Sequence, residues 1–166
     1  MRPIASNLHR AGREVGLAVW QLRYRYRGWN GTEMSPVADA TWALEEIRTR
    51  YGDVPVALVG HSMGGRTALR VAGDESVRGV AALAPWLLDS EPVDQLAGRR
   101  VLIAHGSRDR VTSPTASRHY AERARAVTSE IEYVAIAGET HAMLRRWRTW
   151  HQLTNGFVLD VLSGRG

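Results

Sequence analysis

The sequence predicts a three-layer α/β/α domain around a mainly parallel sheet of about five strands. Three observations carry that reading. Short apolar runs alternate with amphipathic stretches, the pattern of strands joined by crossover helices. The run Val54 to Val59 is nearly all apolar, as a strand covered on both faces requires. No internal repeat or low-complexity linker divides the chain, so residues 1–166 read as a single domain.

The elements follow in order. Met1 to Arg13 is a weak helix ended by Gly12 or Gly16, and Val15 to Arg23 reads as a strand. A turn-rich loop through Gly28, Asn30 and Gly31 follows. Ser35 and Pro36 suit the N-cap and first turn of a helix whose apolar stripe is Val37, Ala40, Leu44, Ile47 and Tyr51, stopped by Gly52. Beyond strand Val54–Val59, Arg66 to Ala72 is helical, and Val77–Leu83 and Val101–Ala104 are buried strands. Ser113-Pro114 opens a helix to about Val127, Ile131 to Ala137 is the last strand, and Met143 to Leu162 the last helix.

Composition removes whole classes of function. The chain has no Cys, which excludes a disulfide framework, a thiolate nucleophile and Cys-ligated zinc. All 22 basic residues are Arg, so Lys-dependent phosphate loops, Schiff bases and Ser–Lys catalysis are excluded as well. The net charge of +5 is spread from Arg2 to Arg165 among 17 acids, with no accompanying recognition motif, so no nucleic-acid partner is expected. No run reaches the roughly 18 apolar residues of a membrane span, and Met1 to Gly16 lacks the apolar core of a signal peptide. A cytoplasmic location is expected.

Parallel α/β sheets place sites where loops leave the carboxyl ends of strands. There stands Gly60-His61-Ser62-Met63-Gly64-Gly65, a G-x-S-x-G elbow in its strand–turn–helix setting. Glycines let strand and helix backbones approach, and the Met63 N–H at the helix start is free to meet a developing oxyanion. A serine needs a base held by an acid. Asp109 follows strand Val101–Ala104, and His141 follows strand Ile131–Ala137, in the chain order Ser, Asp, His. Asp109 could instead cap a turn or pair with Arg108 or Arg110, and Asp89 is a competing acid. His61 should point away from the nucleophile, His105 stands in the wrong order, and His9, His119 and His151 lie in predicted helices. A His105–Asp109–His141 metal site is the poorer reading, because no spacing fixes its geometry.

The motifs Gly60 to Gly65, His105 to Asp109 and Gly138 to His141 resemble the α/β-hydrolase superfamily, and within it small bacterial esterase-like or dienelactone-hydrolase-like members. The loop Tyr26 to Gly31 is similar to that family's Arg-Gly loop after its fourth strand. The resemblance implies a cofactor-independent and metal-independent serine hydrolase, with Ser62 as nucleophile, His141 as base, Asp109 as orienting acid and an acyl-enzyme intermediate. It acts on small esters or thioesters, and Trp29, Trp86, Leu87 and Leu88 are the expected apolar walls of an open site.

The chain departs from the family pattern in one respect. If Val15–Arg23 is the fourth strand, three preceding strands are absent, with a gap expected beside the nucleophile strand and no segment to supply a second oxyanion donor. The favoured account is a start placed too late, since Met1-Arg2-Pro3 opens inside a helix-forming segment; a fragment, or direct pairing of the remaining strands, are the others. The rival function is a non-catalytic binding module of the same fold, and an exposed sheet edge would allow self-pairing into a homo-oligomer.

Overall fold

The computed structural model describes residues 1–164 and contains a four-stranded, all-parallel sheet. The helices are α1 (Arg2–Ala11), α2 (Ser35–Tyr51), α3 (Met63–Arg70), α4 (Pro114–Ala124) and α5 (Trp147–Leu162). The strands are β1 (Val56–His61), β2 (Val77–Leu83), β3 (Arg100–Gly106) and β4 (Ile131–Ile136), adjacent in chain order. Because all run the same way, the turns after β1, β3 and β4 leave from one edge, where the polar motifs were expected.

Alternation along the strands divides the core into two layers. Val80, Ala82, Val101 and Ile103 join Leu44, Leu69, Leu96 and Tyr120 beneath α2, α3 and α4. Leu83, Ala104 and Ile136 join Ile4, Leu8, Trp150 and Val158 beneath α1 and α5. The two clusters flank the sheet, so the α/β/α layering holds. β2 lies between two strands and two helical layers, and Val77, Val80 and Leu83 have no exposed surface.

The expected fifth strand does not form. Residues 17–24 carry no regular structure, and Arg13–Val15 closes a single 3-10 turn. A strand exists only through a neighbour's hydrogen bonds. Among the described residues no backbone–backbone bond involves residues 18–29, so this segment pairs with nothing. Its holds are of other kinds: Arg25 N–H donates to Asp39 Oδ2 at 2.9 Å, and Val19, with the preceding Leu17, packs against the layer that holds Ala57 and Val59. β1 is therefore an edge strand, and direct repair of the sheet does not occur.

Three helix starts also differ from expectation, the first being α3, which opens at Met63 rather than Arg66. Met34, not Ser35, is the N-cap of α2, in left-handed conformation; Ser35 is the first helical residue, and its hydroxyl takes a hydrogen bond from the Asn30 amide. α5 begins at Trp147 rather than Met143, because the Glu139 carboxylate holds Arg146 N–H at 2.6 Å and keeps residues 138–146 as a loop. Ser113 does cap α4, accepting from Ala116 N–H at 3.1 Å.

Candidate active site

Ser62 stands between β1 and α3 with φ 56°, ψ −121°, a conformation costly for any side-chain-bearing residue. Its neighbours make that turn possible. A Cβ on Gly60 would fall on the Gly64 carbonyl, and one on Gly65 would lie 3.0 Å from Pro85 Cβ. The turn is tied to the adjoining loop by Trp86 N–H, which donates to the Ser62 carbonyl at 3.1 Å, while Ser62 N–H donates to Leu83 O at 3.0 Å. Met63 opens α3, and its N–H has no acceptor among the described residues.

Three predicted residues from three loops converge. Ser62 Oγ lies 3.0 Å from His141 Nε2, and His141 Nδ1 lies 2.7 Å from Asp109 Oδ2. The Asp109 side chain has no exposed surface, and that of His141 keeps 18%. Asp109 also caps its turn: Oδ1 accepts from Val111 N–H at 2.8 Å and Thr112 N–H at 3.0 Å. The turn-capping and His-orienting readings thus use different oxygens of one carboxylate. Burial pushes the Asp109 pKa up, but hydrogen bonds from Thr112, His141 and Val111 outweigh it and hold the carboxyl at about 2. Asp89 is exposed and has no contact with His141 among the described residues.

Sequence reasoning missed four supports. Thr112 Oγ1 lies 2.9 Å from Asp109 Oδ2 and 3.1 Å from His141 Nδ1. His105, fully buried at the end of β3, reaches Asp109 Oδ2 with Nε2 at 3.1 Å and Ser117 Oγ with Nδ1 at 2.8 Å. Burial pushes the His105 pKa down despite that carboxylate. Glu139 is fully buried and accepts from Thr140 N–H at 2.8 Å and Arg146 N–H at 2.6 Å, with the Trp150 indole at 3.4 Å. Its backbone carbonyl takes Arg108 N–H at 2.9 Å, locking the loop of His141 to the loop of Asp109. The fourth is His61, which has no hydrogen bond to the Ser62 hydroxyl among the described residues but reaches the His141 carbonyl at 2.9 Å. Only Asp109-x-x-Thr112, a turn-capping spacing, carried a sequence signal for any of these.

The expected walls divide. Trp29 and Trp86 meet edge to face at 6.3 Å and enclose Arg66, whose guanidinium carbon lies 3.8 Å and 4.8 Å from their ring centres. Arg66 pairs with buried Glu91, which also takes Arg70 Nε at 2.6 Å. Trp86 keeps 38% exposure beside the turn. Leu87 corrects the expectation: at 6% exposure it belongs to the α2–α3–α4 core layer, while Trp86 and Leu88 on either side of it are exposed. Among the described residues no group of three or more His, Asp or Glu side chains is placed to hold a metal ion, and the nitrogens of His105 and His141 nearest Asp109 both face one carboxylate oxygen. No helix there is long and apolar enough to cross a membrane.

A family model described as the alpha/beta hydrolase fold matches residues 4–100, more than half of the chain, and the protein belongs to that family. Solved structures agree on the fold. The ferulic-acid complex of Est1E from Butyrivibrio proteoclasticus superposes with a TM-score of 0.76 at 15% identity, covering 96% of this chain and 83% of that one. A putative alpha/beta hydrolase from Agrobacterium tumefaciens gives 0.74 at 17% identity, over 98% and 78% of the two chains. An alpha-beta serine hydrolase homologue from Coxiella burnetii gives 0.71 at 19% identity, over 93% and 76%. No protein of curated function matches the sequence.

Proposed function

We propose that this chain is a cofactor-independent serine hydrolase that cleaves small carboxylic esters or thioesters. One observation carries the reading: a continuous hydrogen-bonded relay runs from Ser62 Oγ through His141 to Asp109, beside an unengaged N–H at a helix start. Its fold relatives include an esterase domain from Rhodothermus marinus and Est1E, which support the same class.

In this mechanism His141 Nε2 takes the Ser62 proton as Oγ attacks the acyl carbon. The carbonyl oxygen becomes an oxyanion and accepts from Met63 N–H. Asp109 keeps the His141 proton on Nδ1 and stabilises the imidazolium. Collapse of the adduct breaks the bond to the leaving alkoxide or thiolate, which takes the proton from His141. Water, deprotonated by the same imidazole, then attacks the acyl-serine and releases the acid. A single oxyanion donor would limit kcat to roughly 10²–10³ below a two-donor site. Trp29 and Trp86 form the apolar wall, the substrate is a small molecule rather than a nucleic acid or membrane, and the cytoplasm is its compartment.

The second reading is a non-catalytic binding module that pairs with another copy through the β1 edge, and the unpaired flank of β1 is what favours it. Intact-mass analysis after fluorophosphonate treatment separates the two. One adduct per wild-type chain and none on Ser62→Ala is the expected result. No adduct on a demonstrably folded wild type would discard the hydrolase in favour of the module.

A further inference from the structure

The elbow contains a second imidazole that the proposed chemistry does not use. His61 is the last residue of β1, so its backbone is fixed by pairing with Leu83 of β2. From that rigid position Nε2 reaches the backbone oxygen of His141 at 2.9 Å. A carbonyl only accepts, so Nε2 carries the proton. The two rings also lie against each other, with centroids 4.6 Å apart and planes inclined by 39°. The β4–α5 loop that carries His141 has no strand or helix of its own to hold it. Its start is tied by Glu139, through Arg146 N–H, Thr140 N–H and the Arg108 N–H on its carbonyl, and by Gly138 N–H on Ser107 Oγ; at His141 itself the main chain is held by this contact from His61.

We infer that His61 is a positioning residue for His141, pinning the base's backbone from the nucleophile's own strand while Asp109 pins its ring. The inference rests on the proposed role of His141. Asp109 and Thr112 both meet the imidazole at Nδ1, and contacts at that single atom leave the ring free to swing about it. Holding the main chain at a second point, and one ring face against His61, leaves Nε2 aimed at Ser62 Oγ. An elbow that bends Ser62 and also holds its base keeps the two in register when the loops move. Burial pushes the His61 pKa down, with His141 acting the same way, while the His141 carbonyl and Asp109 oppose it. A neutral His61 places no like charge against His141 when the latter becomes an imidazolium.

The test compares His61→Leu, which cannot donate, with His61→Gln, whose amide can reach the same carbonyl. Two readouts are taken: the rate constant of fluorophosphonate labelling, and the NMR resonance of the His141 Nδ1 proton on Asp109. Leu should slow labelling on the order of 10–100-fold, as small misplacements of reacting groups do, and weaken or shift the proton resonance. Gln should restore both, with thermal midpoints matched. If Leu does not fold, His61→Asn, polar but too short to reach, takes its place. Wild-type labelling and an unshifted resonance in the non-donating variant would overturn the inference, as would equal impairment by Gln and Leu at equal stability. If the wild type itself does not label, the hydrolase reading fails separately. The resonance then decides alone: lost in Leu and kept in Gln supports positioning, and unchanged in Leu refutes it.

Discussion

His105 Nε2 and Asp109 Oδ2 lie 3.1 Å apart, and the oxygen they share is the one that also meets His141 Nδ1 at 2.7 Å. A fully buried imidazole therefore meets the acid at the same oxygen as His141 does. With its Nε2 proton donated to Asp109, His105 Nδ1 is left to accept the Ser117 hydroxyl. Replacing His105 with Leu removes one donor from a buried carboxylate and strands a buried hydroxyl. We expect a loss of about 1–3 kcal/mol in urea denaturation. Labelling should slow by less than it does in Asp109→Asn, because Val111 N–H, Thr112 N–H and Thr112 Oγ1 still hold the acid. An unchanged urea midpoint would show that His105 is not a support.

Stability should fall on acidification in two stages. His61, His105 and His151 have pKa values lowered by burial, so below about 6.5 the unfolded chain takes up protons that the folded chain resists. Folding free energy is then lost as pH drops from 6.5 towards those lowered values. Asp109, at about 2 against an unfolded 3.8, stabilises the fold above pH 3.8 and loses that contribution as pH falls through 2. Its shift corresponds to roughly 2 kcal/mol. Urea midpoints between pH 8 and 2 measure both stages. A wild-type curve flat from pH 7 to 5 would contradict the first, and an Asp109→Asn curve parallel to wild type below pH 4 the second.

Gly60→Ala should disrupt the elbow. The added methyl would meet the Gly64 carbonyl, which is backbone inside a turn and cannot swing aside as a side chain does. Overpacking of this kind costs typically 1–3 kcal/mol or more. Labelling of Ser62 should fall even where circular dichroism shows the chain still folded. Gly98→Ala, with open space around it but φ +68°, is the matching control for backbone strain alone.

Amide exchange should grade across the sheet. β2 has hydrogen-bonded neighbours on both sides, whereas β1 has one. The outward amides of β1 are expected to exchange orders of magnitude faster than those of β2. If a second copy covers this edge, protection of β1 rises with protein concentration while that of β2 does not. Equal protection of the two strands in dilute protein would mean that β1 is not an open edge.

How much was legible follows from where each signal lies. Val77–Leu83 was bounded correctly from its apolar content, because every position except Arg78, exposed near its start, is buried between layers. Ser62, Asp109 and His141 were legible because strand ends in a parallel sheet share an edge, so order along the chain implies proximity. Val15–Arg23 misled because its composition suits a strand, yet strandedness belongs to a pair and no partner lies alongside. Leu87 misled because Trp86 and Leu88, exposed on either side of it, are as apolar as it is, so composition does not say which of the three faces the core. The supporting roles of His61, His105 and Glu139 were missed for a different reason. Each acts on an atom of another loop, or on a backbone group, and neither leaves a pattern in sequence.

Ser62 and His141 are 79 residues apart, and the relay closes only across a finished sheet. At ribosomal speeds of roughly 5–20 residues per second, the base emerges about 4–16 s after the serine. Throughout that interval the nascent chain carries an ordinary alcohol that attacks nothing. On the proposed mechanism, reactivity therefore arrives in one step once residue 141 is in place, so a translation product that stops before it would be inert.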